Sequence, residues 1–282
     1  MLITGVTGKV GAALAQCLLS KDIPFRAAAR NPSHIPQQLS LDDRVDVKEL
    51  DFSRSHTYKY AFSGISTMFL VVPPDFLDIG SLEEALKAAK ECGVQYVLFL
   101  SYLGSEKMMY IPHRKIERML MRMGFQFIFL RTSFFMQNLV TDVKQNHEIY
   151  YPSGNGEVSF VDARDVAEAA CLSMRRKFRN EVYYLTGKQA FSYAEIARIL
   201  SDELGYQVTF RNYTKHQFMN RCEQAGLSAK ETLLLANLYT SAKNGTLKKV
   251  TRDAEKILGR SPTDIREFIN DYKSAFHSQM SP

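Results

Sequence analysis

The sequence predicts an α/β fold: a parallel sheet covered by helices on both faces, with a smaller, mostly helical carboxyl-terminal lobe. Three observations lead there. Strand-like and helix-like segments alternate through the first two-thirds of the chain, as parallel strands joined by helical crossovers require. Thr67-Met68-Phe69-Leu70-Val71-Val72 is a strongly β-forming run without polar alternation, the pattern of a strand covered on both sides. Glycines at 5, 8 and 11 punctuate the join between the first strand and the first helix.

The elements follow in order. Met1 to Val6 is a short apolar run, and after the glycine turn Ala12, Leu14, Ala15, Leu18 and Leu19 recur at helical spacing. Phe25 to Ala29 reads as the second strand, closed by Arg30-Asn31-Pro32. This β-α-β unit takes about 30 residues, the length a parallel crossover needs. A third strand ends near Leu50-Asp51, a helix lies around Ser55 to Phe62, and the fourth strand stops at Pro73-Pro74. Ser81 to Cys92 is an amphipathic helix halted by Gly93, and Tyr96 to Leu100 is the next buried strand. Arg114 to Met123, Phe125 to Leu130, Val166 to Met174 and Val182 to Leu185 extend the alternation. From about Ser192 the chain turns more polar and helical, with one strand at Gln207 to Tyr213. The expected division is a nucleotide-binding domain over 1–190, of which 131–155 partly serve a substrate pocket, and a carboxyl-terminal lobe over 191–282.

Composition narrows the classes of function. With 282 residues, 45% hydrophobic and 23% charged, the chain is an ordinary globular protein. No run approaches the 18 consecutive apolar residues of a membrane span, and Met1 to Gly5 lacks the features of a secretory signal, so cytoplasmic residence is expected. Cys17, Cys92, Cys171 and Cys222 are widely spaced, which suggests neither disulfides nor a zinc site. The net charge of +6 would suit an anionic partner, but the densest run, Arg175-Arg176-Lys177-Phe178-Arg179, falls where a helix ends and complements its dipole. No nucleic-acid partner is expected, and a monomer or homodimer is. The six histidines and the Ser101-Tyr102-Leu103-Gly104-Ser105 segment match no H-E-x-x-H or G-x-S-x-G pattern, so no catalytic metal or serine nucleophile is expected.

The chemistry concentrates in the first turn. Gly5-Val6-Thr7-Gly8-Lys9-Val10-Gly11 has the spacing G-x-x-G-x-x-G between a strand and an amphipathic helix, the context that makes such a match a Rossmann-type dinucleotide site. Glycines let the backbone turn tightly and bring a pyrophosphate to the amides of the helix start. NAD-preferring sites carry an acid about 20 residues onward, on the ribose hydroxyls. This chain has Arg30 there, whose guanidinium would meet a 2′-phosphate, so NADP(H) is expected over NAD(H), with Lys9 as a second cation. Asp51, ending the third strand, is either an adenine contact or a cap.

The glycine turn, Ala29-Arg30-Asn31-Pro32, Leu70-Val71-Val72-Pro73-Pro74, the run from Leu130 to Asn138 and Phe160-Val161-Asp162-Ala163-Arg164-Asp165-Val166-Ala167 together resemble the NmrA-like family of atypical short-chain dehydrogenases/reductases. The resemblance covers roughly the first 185 residues. It implies either an NAD(P)H-dependent quinone, azo or isoflavone-type reductase, or a protein that binds the cofactor without catalysis and signals to a regulatory partner. It also implies that Val72, Pro73, Ser101, Lys115 and the segment Thr132 to Phe135 lie along the cofactor, with Phe135 and Asn138 near the nicotinamide and substrate.

Many enzymes of that superfamily pair a tyrosine with a lysine four residues on, and this chain departs from the pair. Four residues before Lys115 stands Ile111; Tyr110 is five back, with Pro112 between, so Tyr110 would act only from a loop. His113 is a further proton-donor candidate, with a water-exposed helix start as the plainer alternative. Tyr102 is another by position. Phe134, Phe135 and Tyr150-Tyr151 offer rings to stack a flat acceptor, or belong to the core.

Overall fold

The computed structural model describes residues 1–72, 78–107, 111–175 and 178–277. In chain order the elements are β1 (Leu2–Thr4), α1 (Lys9–Ser20), β2 (Phe25–Ala29), α2 (Gln37–Ser40), β3 (Val45–Glu49), α3 (Tyr58–Phe62), β4 (Thr67–Leu70), α4 (Ile79–Glu91), β5 (Tyr96–Tyr102), α5 (Pro112–Arg122) and β6 (Gln126–Thr132). They continue with α6 (Gln137–Asn146), β7 (Glu148–Tyr151), β8 (Glu157–Val158), α7 (Ala163–Met174), β9 (Glu181–Leu185), β10 (Phe191–Ser192) and α8 (Tyr193–Leu204). The last are β11 (Thr209–Asn212), α9 (Lys215–Gln224), α10 (Ala229–Thr240), α11 (Asp253–Leu258), α12 (Ile265–Asp271) and α13 (Lys273–His277).

Among the described residues seven strands form one sheet in the order β3-β2-β1-β4-β5-β6-β9. The first six follow the Rossmann order, which the alternation of strands and helices alone does not specify. Strands β3, β2, β1, β4 and β5 pair in parallel, with Ile3 opposite Ala27 on one side and Phe69 on the other. The chain reverses its direction of strand addition between β1 and β4, and ligands of such sheets bind beyond the strand ends at that switch.

By internal contacts the chain falls into two compact units, Met1–Arg131 with Val166–Tyr183, and Thr132–Asp165 with Tyr184–Pro282. In the first, Leu2 and Met68 of the sheet meet Phe62, Leu82, Leu86 and Leu120 of the helices in one buried cluster. The apolar face of α4 (Leu82, Ala85, Leu86, Ala89) supplies part of it, and Asp78 caps that helix by accepting from the Ser81 amide at 3.1 Å. In the second unit β7 pairs in parallel with β11, and β8 pairs antiparallel with β10. Reciprocal capping boxes start α8 (Ser192, Glu195), α9 (Thr214, Gln217), α10 (Ser228, Glu231) and α12 (Asp264, Glu267).

Two elements differ from expectation. The helix expected over Ser55 to Phe62 begins as a 3₁₀ turn, Ser55–Thr57, because the Thr57 hydroxyl donates back to the Arg54 carbonyl at 2.7 Å and tightens the start. The strand expected at Gln207 to Tyr213 exists as β11, but its partner β7 was not anticipated. No helix among the described residues is long and apolar enough to cross a membrane.

Candidate functional site

Strand β1 delivers the chain into the glycine turn. Thr4 Oγ1 accepts from the Val71 amide at 2.8 Å and donates to the Phe69 carbonyl at 3.1 Å, so the ends of β1 and β4 are tied together. Gly5 turns the chain at φ +63°, where a Cβ would also sit 3.0 Å from Val71 Cβ. The Gly8 amide closes the turn on the Gly5 carbonyl at 2.9 Å. A Cβ on Gly11 would lie 2.2 Å from that same carbonyl oxygen, so only glycine lets α1 press against the turn. Gly8 is the N-cap of α1; no side chain caps this helix and its first turn carries no acid. Thr7, Gly8 and Lys9 are exposed, whereas Val10 and Gly11 are buried. The arrangement fits a dinucleotide: the exposed start of α1 offers amides and the positive end of a dipole, and the helix's own first turn holds no anion.

At the end of β2, Arg30 is exposed. Its carbonyl accepts from Arg54 Nη2 at 3.3 Å, and Arg54 in turn pairs with Glu49 at 2.5 Å and Asp51 at 3.0 Å. Asp51 also accepts from the Ser53 amide and hydroxyl at 2.9 and 2.7 Å. Its carboxyl is held below the usual range: burial raises it, but the Ser53 bonds and the Arg54 guanidinium outweigh that. Asp51 thus closes an Asx-type turn. Arg54 escaped the sequence reading; its only signal was the Asp51/Arg54 spacing of three.

Beyond β4, Val72 is buried; Pro73 lies outside the described residues, as does Tyr110. At the end of β5, Ser101 is 2% exposed and turns its hydroxyl inward to Glu117 Oε1 at 2.6 Å. Glu117 also accepts from Ser105 Oγ at 3.1 Å and from Arg131 at 2.9 and 2.6 Å, and Arg131 reaches Glu106 at 2.8 Å. The hydroxyl proton of Ser101 is therefore committed to Glu117. This buried network was missed, although Glu117 stands beside Ile116 and before Met119 and Leu120, where a helix faces its core.

On α5, Lys115 is exposed, and Ile111, at the position a superfamily tyrosine would occupy, is 2% exposed. His113 is half-buried at the helix start. Its Nδ1 is sealed from solvent without a hydrogen-bond partner, and its ring stacks on Phe99 at 5.8 Å, with Tyr102 at 6.3 Å. Burial pushes its pKa down to about 4, against the opposing pull of Glu117, so the ring is neutral near pH 7 and holds no acidic proton to give.

The second unit carries the expected acceptor residues. Phe135 and Asn138 are half-exposed, whereas Phe134, Met136, Gln137 and Leu139 around them are buried. Phe134 stacks on Tyr239 at 4.9 Å and Tyr239 on Tyr151 at 3.8 Å, while the Tyr151 hydroxyl donates to Asp142 at 2.6 Å. Phe134 and Tyr151 are thus core rings rather than an open platform, and Tyr150 lies beneath the Arg221 guanidinium at 3.7 Å. Phe135 is half-buried. No cluster of three or more metal-ligating side chains occurs among the described residues.

Known proteins resemble this chain along nearly its whole length. It is 27% identical over 292 residues to an NAD(P)H azoreductase of Xenophilus azovorans, covering 98% of this chain and 99% of that protein. It is 26% identical over 280 residues to prestalk A differentiation protein A of Dictyostelium discoideum, covering 96% and 91%. The fold superimposes on the Citrobacter triphenylmethane reductase complexed with NADP(H) with a TM-score of 0.82, at 24% identity and over 96% and 99% of the two chains. The model of the NmrA-like family matches residues 1–269, and the chain belongs to that family.

Proposed function

We propose that the chain is an NADPH-dependent reductase of a small flat electrophile such as a quinone or azo compound. The observation that carries the proposal is the head of α1, a helix start without a side-chain cap or an acid in its first turn, reached through a turn in which Gly5 and Gly11 leave no room for a side chain. A cofactor diphosphate completes that cap. The related azoreductase and the NADP(H)-bound triphenylmethane reductase support the same reading.

Arg30 takes the 2′-phosphate, and Lys9 adds charge at the diphosphate. A bond to a charged group is worth roughly 1.5–3 kcal/mol, which sets a preference for NADPH over NADH of about tenfold to a hundredfold. Bound NADPH supplies the hydride. Lys115 contacts the cofactor from α5, while Phe135 and Asn138 receive the acceptor with an aromatic face and an amide. A quinone takes its protons from solvent after reduction, so a neutral His113 is no obstacle.

A second reading, a non-catalytic NADP(H) sensor with a regulatory protein partner, draws on one observation: Ile111 occupies the tyrosine position and His113 is neutral. NADPH oxidation followed with a panel of quinones, azo dyes and enones separates the two. The reductase reading expects turnover well above the uncatalysed rate with at least one flat acceptor. Rates equal to the control across the panel, with NADP and NADPH still bound, would favour the sensor.

A further inference from the structure

The segment Phe160 to Ala167 carries part of the family likeness and three charged side chains, Asp162, Arg164 and Asp165. In the second unit these charges are spent on holding the acceptor segment. The Val161 amide donates to the Phe134 carbonyl at 3.0 Å, and the Met136 amide to the Val161 carbonyl at 3.0 Å, a short parallel bridge centred on Phe135. Gln137 continues it with its side chain. Its Oε1 accepts from the Ala163 amide at 2.9 Å, and its Nε2 donates to Asp162 at 2.7 Å.

Asp162 is fully buried, and it also accepts from the Arg164 amide at 2.7 Å and the Arg164 guanidinium at 2.9 and 2.7 Å. Arg164 reaches onward to Asp271 of α12 at 2.8 Å and lies over Tyr272 at 5.1 Å. Asp165 anchors the next stretch, accepting from the Thr263 amide at 2.6 Å and from Arg260 at 2.8 Å. Phe135 and Asn138 flank the pinned residues and keep partly open side chains.

We infer that Gln137 and Asp162, with Arg164 behind them, are positioning residues: they fix Phe135 and Asn138 where a flat acceptor must sit. The consequence for turnover rests on the reductase reading above. The placement of Phe135 and Asn138 does not. A buried carboxylate that satisfies three groups at once permits little displacement, and misplacement of a reacting group by about 1 Å can cost on the order of a hundredfold in rate.

The test compares the full-length protein with Gln137→Ala and Arg164→Ala, the latter at a side chain 40% exposed and therefore compatible with folding. With 2-methyl-1,4-naphthoquinone as acceptor, the KM for the quinone should rise about tenfold or more while the dissociation constant for NADPH stays within about twofold. Hydrogen exchange should accelerate in peptides covering residues 133–143 and stay unchanged in those covering residues 9–20. If activity falls only in proportion to the folded fraction, with KM unaltered, the residues are merely structural and the inference is overturned. If wild-type protein turns over no acceptor, the reductase reading fails by itself; local acceleration of exchange then still upholds the placement of Phe135 and Asn138, and unchanged exchange overturns it.

Discussion

The starts of helices α1 and α7 solve the same electrostatic problem in opposite ways. Each presents free amides and the positive end of a dipole. At α7 the protein answers with its own groups: Asp162 accepts from the Arg164 amide, Gln137 from the Ala163 amide, and Asp165 stands in the first turn. At α1 the helix supplies no such group of its own, since the cap is glycine and the first turn holds no acid. A helix start that supplies its own anion is architecture, whereas one that withholds it, inside a turn shaped to let backbone approach, is a place for a ligand's anion.

The largest effect should come from emptying the closed start. Asp162→Ala leaves the buried Gln137 Nε2 and the Arg164 backbone amide without their acceptor, which at about 1–3 kcal/mol for each group should cost roughly 3–5 kcal/mol of unfolding free energy, read by urea denaturation. A loss below about 1 kcal/mol would show that α7 is as open as α1.

A third helix start sharpens the contrast. Helix α5 begins at Pro112 without a side-chain cap, and His113 lies in its first turn. Its folded pKa of about 4 lies below the ordinary 6.5, so the neutral ring contributes stability that is complete above about pH 6.5 and lost as pH falls toward 4. Because part of the residue stays accessible to solvent, the loss should fall below the roughly 3 kcal/mol of a wholly buried ring, and His113→Phe, which keeps a ring on Phe99, should flatten the stability profile across that window. Parallel profiles for wild type and variant would mean that the ring is solvated.

The smallest stability effect is the most telling. Gly8→Asp converts the open start into a closed one, and the backbone of Gly8 (φ −86°, ψ 169°) already suits an N-cap aspartate. A Cβ there lies 3.3 Å from the Gly5 carbonyl oxygen, which offsets the new cap, so stability should stay within about 0.5 kcal/mol of wild type while NADPH affinity falls by on the order of a hundredfold. Retained affinity would remove the diphosphate from the head of α1.

The same contrast explains what was legible in the sequence. The open start is written within seven residues, Gly5 to Gly11, because its work is done by backbone that only glycine allows. The alternation of strands and helices, and with it a parallel sheet between helices, was legible in runs of apolar residues, which are local patterns too; the order of the strands was not, because it depends on which side of β1 each crossover packs. The closed start is written across the chain: Gln137 meets Asp162 25 positions away, and Asp165 meets Thr263 98 away, and no spacing rule joins such pairs. Ser101 was expected along the cofactor, but its hydroxyl belongs to a buried Glu117 that only the folded packing of α5 reveals. Phe134 and Tyr151 were read as either platform or core; Tyr239, far along the chain, stacks on both and decides for core.

The central claim is that the open head of α1 and Arg30 together hold NADP(H). Titration of wild type and Arg30→Ala with NADPH and with NADH, followed by nicotinamide fluorescence, tests it directly. The account predicts saturable binding of NADPH by wild type, weakened about tenfold to a hundredfold by Arg30→Ala, with NADH affinity changed less than about twofold. Folded wild-type protein that binds neither nucleotide, or equal losses for both, would contradict it.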